Sequence, residues 1–333
     1  MQRSKISPLS TDAALRSFCG FALTGAVVVA APAAAQTYPS KPIRLVVGAA
    51  AGGGSDFVAR LMGNKLGEAL GQQVVVENRA GAGSSLGYEF GVRSPPDGYT
   101  LILITPSWSI NPSLYPLKFD AATDYTPIIP VARGPYVAVV HPSLPVKNVR
   151  ELVAFAKKHP GELTYGSSGI GSSTHLGFEL FALNAGIKIR HIPYKGLPLA
   201  MIDLVAGNTS LVFDSVPSAT PHIKSGRVRV LAIGSPQRSP SLPDLPTVAE
   251  SGLPGYEMGS WYGLFAPAAT PKEIVQRLAA ETVKASTSAD VRARFAGAGT
   301  DQLGLSAEES AALLAREIER WSKVARQAQI KAE

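Results

Sequence analysis

Cysteine is all but missing from this chain: one residue, Cys19, in 333. That excludes a disulfide framework, a cysteine-based zinc site and thiolate chemistry in the body of the protein. Histidine is sparse as well. The five, His141, His159, His175, His191 and His222, stand at least sixteen residues apart, so there is no HxxxH pair and no metal is expected. Charge is thin at 17% of residues. Beyond the first twenty positions no block of five or six like charges occurs, which speaks against a nucleic-acid partner. Neither a GxxxxGK[ST] loop nor a GxGxxG string between a strand and a helix is present, so ATP and dinucleotides are not expected and the chain is read without a cofactor.

What is there is a globular composition, 45% hydrophobic with 32 Gly and 26 Pro, in a chain long enough for about two domains. The net charge of +7 is spread out rather than striped, which suits small anions better than polyanions. Arg3, Lys5 and Arg16 precede an apolar run from Phe18 to Ala31, and Ala33-Ala34-Ala35 offers a small-x-small cleavage pattern. The expectation is an export signal cut after Ala35, since the run stops at Pro32, short of the roughly 20 residues a membrane span needs. That leader carries three basic residues and one acidic, so the mature chain would hold +5 and no cysteine.

The remainder alternates strand and helix. Residues 42–48 (PIRLVVG) read as a buried strand, followed by a Gly-rich turn and a helix opening at Ser55-Asp56. Further strands are expected at 74–77, 101–104, 163–167, 188–191 and 210–213, with helices at 84–93, 149–158, to about 185 and near 198–206. This order predicts a mainly parallel sheet. Asn148 and Glu151 mark a helix start, Thr270-Pro271-Lys272-Glu273 and Ser306-Ala307-Glu308-Glu309 read as capping boxes, and 248–251 reads as a short helix.

Three loops share one chemistry. Ala49 to Asp56, Thr105 to Asn111 and Ser167 to Thr174 each follow a strand and consist largely of Gly, Ser, Thr and other small residues. Ligands of parallel sheets bind beyond the carboxyl ends of strands, and helix N-termini there present free N–H groups with partial positive charge. Together these loops make an anion site that accepts a carboxylate without arginine. His175 either belongs to that site or packs its helix; Asp214 either meets a ligand or holds a loop. Gly83-Ser84-Ser85-Leu86-Gly87 matches a nucleophile-elbow string, but Arg79 to Gly83 separate it from the preceding strand, so Ser85 reads as a helix start and a serine hydrolase is only the enzyme alternative.

The strings YPSKPIRLVVGAAAGGGSD, VVVENRAGAGSSLG, PPDGYTLIL, NPSLYP, LTYGSSGIGSSTHL, HIPYKG, PHIKSGRVRVLAI and RSPSLPDLPTVAESGLPGYE, in this order from Tyr38 onward, resemble the Bug family. These are periplasmic solute receptors of tripartite tricarboxylate transporters. The resemblance implies an α/β, two-lobed type II periplasmic binding protein fold with a ligand cleft between the lobes, one lobe from residues 36–136 and 259–333, the other from 137–258. It also implies a monomeric, non-enzymatic receptor for a small organic carboxylate, serving the membrane permease of such a transporter or, alternatively, a two-component sensor; an indole at Trp108 beside Ile170 would favour an aromatic or apolar body on that carboxylate. The implied ligand set is Ala51, Gly53, Gly54, Ser55 and Asp56 from the first loop, Ser107 and Trp108 from the second, and Ser167, Ser168, Gly171, Ser172, Ser173, Thr174 and His175 from the third. Tyr194 and Asp214 join it from the second lobe. Trp108 either faces the cleft or is a packing residue. Ala50, Ala51, Ile170 and Ser215 depart from the family's usual Pro, Pro, Asn and Asn, which disfavours an amino-acid ligand.

Overall fold

The computed structural model describes residues 38–331, apart from 241 and 306. The expected leader at 1–35 and the box opening at Ser306 lie outside the described residues. The first described elements are β1 (Ile43–Val47), α1 (Gly54–Leu70), β2 (Val74–Asn78), α2 (Ser85–Val92), β3 (Thr100–Ile104) and the single turn α3 (Ser107–Ile110). A long strand, β4 (Tyr125–Val140), leads to α4 (Val149–Lys158), β5 (Thr164–Ser167), α5 (Ser173–Ala185) and β6 (Arg190–Pro193). Then come α6 (Leu197–Val205), β7 (Leu211–Ser215), α7 (Val216–Lys224) and β8 (Arg229–Ile233). The last are β9 (Gly259–Pro267), α8 (Lys272–Thr287), α9 (Ala289–Gly297), β10 (Asp301–Gln302) and α10 (Ala307–Gln327).

Local chemistry sets these boundaries. β3, TLILI, is buried at every position, as an apolar strand covered on both faces must be. Asn148 caps α4, its side chain accepting the Glu151 N–H at 2.9 Å. α1 stops at Gly71, whose φ of 68° returns its N–H to the Gly67 carbonyl. Two local expectations fail. Thr270 does not cap α8: its hydroxyl donates to the Pro267 carbonyl at 2.7 Å, and no side chain caps that helix. Residues 248–251 form a turn, because Gly252 and Pro254 leave no length for a helix.

Strands β2, β1 and β3 are parallel, as are β6, β5 and β7. Between these trios lie antiparallel strands, giving the order β2-β1-β3-β9-β4-β7-β5-β6. The expected parallel sheet therefore holds within each trio and fails between them. β4 joins the two halves by changing partners: Tyr125 to Pro135 lie along β9, while Tyr136 to Val140 lie between β7 and β8. Its register shifts after Pro127 and after Pro130, which lets a strand carry prolines that cannot donate to the ladder.

Each half has its own core. In the first, Leu45, Val47, Leu101 and Leu103 pack against Val58, Leu61, Met62 and Leu66 of α1 and Leu278 of α8. In the second, Tyr165, Phe178, Phe181 and Phe213 pack with Leu152 of α4, and Trp321, Val324 and Ala325 of α10 enter the same cluster. α10 thus reaches the core of the second half although it follows strands of the first. No helix among the described residues is long and apolar enough to cross a membrane.

Candidate functional site

Because both trios are parallel, each points its carboxyl ends one way, and in this fold the two sets of ends face each other. A cavity of about 50 Å³ lies between them, room for about four waters or a carboxylate with fewer. From the first half it is lined by the β1 exit (Gly48 to Ala50 and Gly53 to Ser55), the β2 exit (Ala80, Gly81, Ser84) and the β3 exit (Thr105, Ser107). The second half contributes Ser168 and Ser173 after β5, Gly196 to Pro198 after β6, and Ser215 at the end of β7. Tyr136 of β4 and Tyr262 of β9 complete the wall.

Nine of these residues carry hydroxyls and none carries a charge. The positive end of the field comes from backbone. Helices α1, α2, α5, α6 and α7 all begin at the cavity, with Gly53, Ser84, Ser172, Gly196 and Ser215 as their first caps. Each leaves N–H groups without helical partners, and the five partial charges add at one place. An anion placed here would be solvated by hydroxyls and amides rather than by a salt bridge.

The two halves touch around this space. The Ser173 N–H donates to the Ser107 hydroxyl at 3.2 Å, and the Tyr136 and Ser173 hydroxyls meet at 3.0 Å. Tyr115 donates to the Ile170 carbonyl at 2.7 Å across the same gap, and within the first half Asn111 donates to the Gly83 carbonyl at 3.2 Å. Glycine is required where the loops close: a Cβ on Gly196, at φ 135°, would lie 2.5 Å from that of Ala50.

Of the residues implied by the sequence, the lining includes Gly53, Gly54, Ser55, Ser107, Ser168 and Ser173. The others lie behind or beside it. Ala51 is exposed on the outside of its loop. Asp56 braces that loop: its Oδ2 accepts the Gly52 N–H at 3.0 Å and Arg60 Nε at 2.9 Å. Burial pushes its carboxyl up, but these partners outweigh burial and hold it below the usual range. Trp108 is a packing residue, fully buried against Tyr88, Phe119 and Tyr125 with its indole N–H on the Ala121 carbonyl at 3.0 Å. Ser172 caps α5 by accepting the His175 N–H, and the Thr174 hydroxyl accepts the Ser168 N–H.

Gly171, at φ 73°, packs on the Tyr115 ring, where a Cβ would come within 2.6 Å. Its N–H donates to His175 Nδ1 at 3.3 Å. His175 stacks on His191 at 4.0 Å, and His191 Nε2 meets the Ser167 hydroxyl at 2.6 Å. Burial, and for His175 also the neighbouring His191, lowers these imidazoles to about 3 and about 4. Both are neutral struts of the third loop. Tyr194 turns away and donates to Asp203 at 2.8 Å. Asp214 sits wholly buried behind Ser215.

Sequence reasoning passed over the β2 exit and the two tyrosines, and at the β6 exit it named Tyr194 rather than Gly196 to Pro198. Arg79-Ala80-Gly81-Ala82-Gly83-Ser84 and Tyr194-Lys195-Gly196 show the same small, glycine-bearing character as the loops that were recognised, so the same rule reaches them. Tyr136 and Tyr262 stand within β4 and β9, and nothing local marks them.

A family model described as "Tripartite tricarboxylate transporter family receptor" matches residues 58–330. Protein BugT of Bordetella pertussis is 37% identical over 302 residues, 90% of this chain and 93% of that protein. Among solved structures, R. palustris Rpa4515 with adipate is 38% identical with a TM-score of 0.85, covering 88% of this chain and 99% of that one. MatC (Rpa3494) from Rhodopseudomonas palustris with bound malate is 31% identical with a TM-score of 0.81, covering 86% and 99%. Matched over most of its length in sequence and fold, and carrying its candidate site where two parallel strand sets converge, the chain belongs to the tripartite tricarboxylate transporter receptor family, the Bug-type solute-binding proteins.

Proposed function

We propose that this receptor captures a small organic carboxylate in the cavity between the two strand trios, in the periplasm, and presents it to the permease of a tripartite tricarboxylate transporter. The observation that carries the reading is the convergence of five helix N-termini on a charge-free, hydroxyl-lined space. The adipate and malate of the two related structures support a carboxylate as the ligand class. The ligand contacts are assigned to Gly53, Gly54, Ser55, Ser107, Ser168, Ser173 and Ser215, with Tyr136 and Tyr262; Asp56, Thr174 and His175 hold the loops that carry them. We assign the lobes as residues 36–136 with 259–333, and 137–258, with the end of α10 packing into the core of the second. β4 changing partners after Pro135 and β9 starting at Gly259 support that division.

The test is a thermal-shift screen of mono- and dicarboxylates, adipate and malate included, each paired with its neutral amide. An acid at about 100 times its Kd should stabilise the protein by about 2.7 kcal/mol while its amide does little. Equal shifts for acid and amide, or none with any acid, would remove the reading.

A further inference from the structure

Behind the cavity stands a carboxyl group with no compensating charge. Asp214, the penultimate residue of β7, has no exposed surface. Its Oδ1 accepts the Ser215 N–H at 2.7 Å and the Ser215 hydroxyl at 3.4 Å. Its Oδ2 is sealed from solvent and makes no hydrogen bond within 3.5 Å, although the side chain of Ser218 stands near enough to the carboxyl to favour its ionised form. A buried ionised carboxylate is normally paired or fully bonded, and Asp214 is in no ion pair among the described residues.

The surrounding groups do not neutralise it. On β4 and β9 the titratable side chains coupled to it are Tyr136 and Tyr262, both pushed up by burial and uncharged. On α5, His175 is engaged with Gly171 and Glu179 with Tyr165 of β5. Asp203 of α6 is engaged with Tyr194, and Asp56 of α1 with Arg60. His222 and Lys224 occupy the last turn of α7, at the end away from Asp214. Arg229 of β8 spends its guanidinium on the carbonyls of Pro142, Leu144 and Val146.

Ser215 links the two, because it bonds Asp214 and lines the cavity. An anion beside Ser215 and a negative Asp214 would share one N-terminus, that of α7, inside a space of low polarity. Two like charges so placed do not both persist; one group takes a proton. Resting on the carboxylate reading above, we infer that this receptor binds its ligand as carboxylate plus one proton, the proton taken from solvent by Asp214 as the anion enters. No bond to the ligand forms, and the protonated carboxyl is neutral in a place that holds no counter-charge. Asp214 is a specificity-determining residue here: it penalises an anion that arrives without its proton, and affinity falls as pH rises. Burial, against the pull of the nearby Ser218 and of Ser215, already pushes the carboxyl up to about 6 in the unliganded protein, and the ligand's charge raises it further, so the uptake falls near neutral pH.

The experiment is calorimetric titration of the whole mature protein with the acids that shift it in the thermal screen, from about pH 6.5 to 8.5, where simple carboxylic acids are fully ionised. Each pH is run in two buffers of different ionisation enthalpy. The expected result is uptake approaching one proton per ligand, with affinity falling by up to about tenfold per pH unit over part of the range. Asp214→Asn should bind without proton uptake and with a flat pH profile. Clear binding by the parent with no proton uptake, or the same uptake in Asp214→Asn, overturns the inference and leaves the receptor reading standing. Binding of no acid at any pH removes both. If the variant does not fold, the parent's proton count decides alone.

Discussion

Two adjacent serines at the start of α5 separate a ligand contact from a helix cap. Ser172 caps: its hydroxyl accepts the His175 N–H at 3.2 Å and shares a contact with Thr174. That same N–H also reaches the Ser172 carbonyl at 3.1 Å, so deleting the hydroxyl strands nothing completely. Ser172→Ala should therefore cost about 1 kcal/mol of stability, lowering Tm by about 2–4 °C, and change affinity little. Ser173 points into the cavity, where its hydroxyl meets that of Tyr136. If it donates to a buried carboxylate, Ser173→Ala removes a charge-assisted hydrogen bond of about 1.5–3 kcal/mol, a Kd raised roughly ten- to 150-fold. Calorimetric titration with the screened acid, beside thermal unfolding of each unliganded variant, reads both quantities. Ser173→Ala binding like the parent, with Ser172→Ala losing affinity at unchanged Tm, would refute this placement of the site.

Two further outcomes are expected. A Cβ at position 54 would lie 2.7 Å from the Tyr262 hydroxyl and 2.8 Å from that of Ser215, and Gly54 opens a regular helix. Gly54→Ala should keep the far-UV circular dichroism of the parent while abolishing the ligand-induced thermal shift; retained binding would show that the anion sits elsewhere. The stacked His175 and His191 titrate in the fold at about 3 and about 4, below their usual 6.5. The unfolded chain therefore binds the extra protons, so the stability they contribute is present above about pH 6.5 and declines as pH falls towards those lower values. His191→Gln should lose less stability than the parent between pH 6.5 and 4.5 in urea titrations, and parallel losses would contradict the buried, neutral pair.

The parallel trios were legible because their strands are short apolar runs ending in glycine and serine, as at 42–54 and 163–173. The antiparallel middle was not. β4 contains Pro127, Pro130 and Pro135, which argue against a strand until the register shifts that absorb two of them are seen. The candidate site followed the same division. Loop composition located Gly53 to Ser55, Ser107, Ser168 and Ser173, since backbone and hydroxyl donors are written locally. Whether a neighbour faces in or out depends on packing from distant elements. Trp108 is buried by Phe119 and Tyr125, Thr174 turns back to Ser168, and Tyr136 and Tyr262 enter the wall only when β4 and β9 pair.

The pairing of β9 also governs how the molecule is completed. Ile104 of β3 finds its partner in Gly263, about 160 residues later, and the first stretch of β4 waits for the same strand. Until residues 259–267 have been made, the first trio has an open edge beside β3, with the apolar run of that strand uncovered. Closing such distant pairs is slow, and unpaired apolar edges invite association with other chains. A chain cut before β9 would thus lose more than its last helices: it would leave the first three strands as an adhesive fragment prone to aggregate.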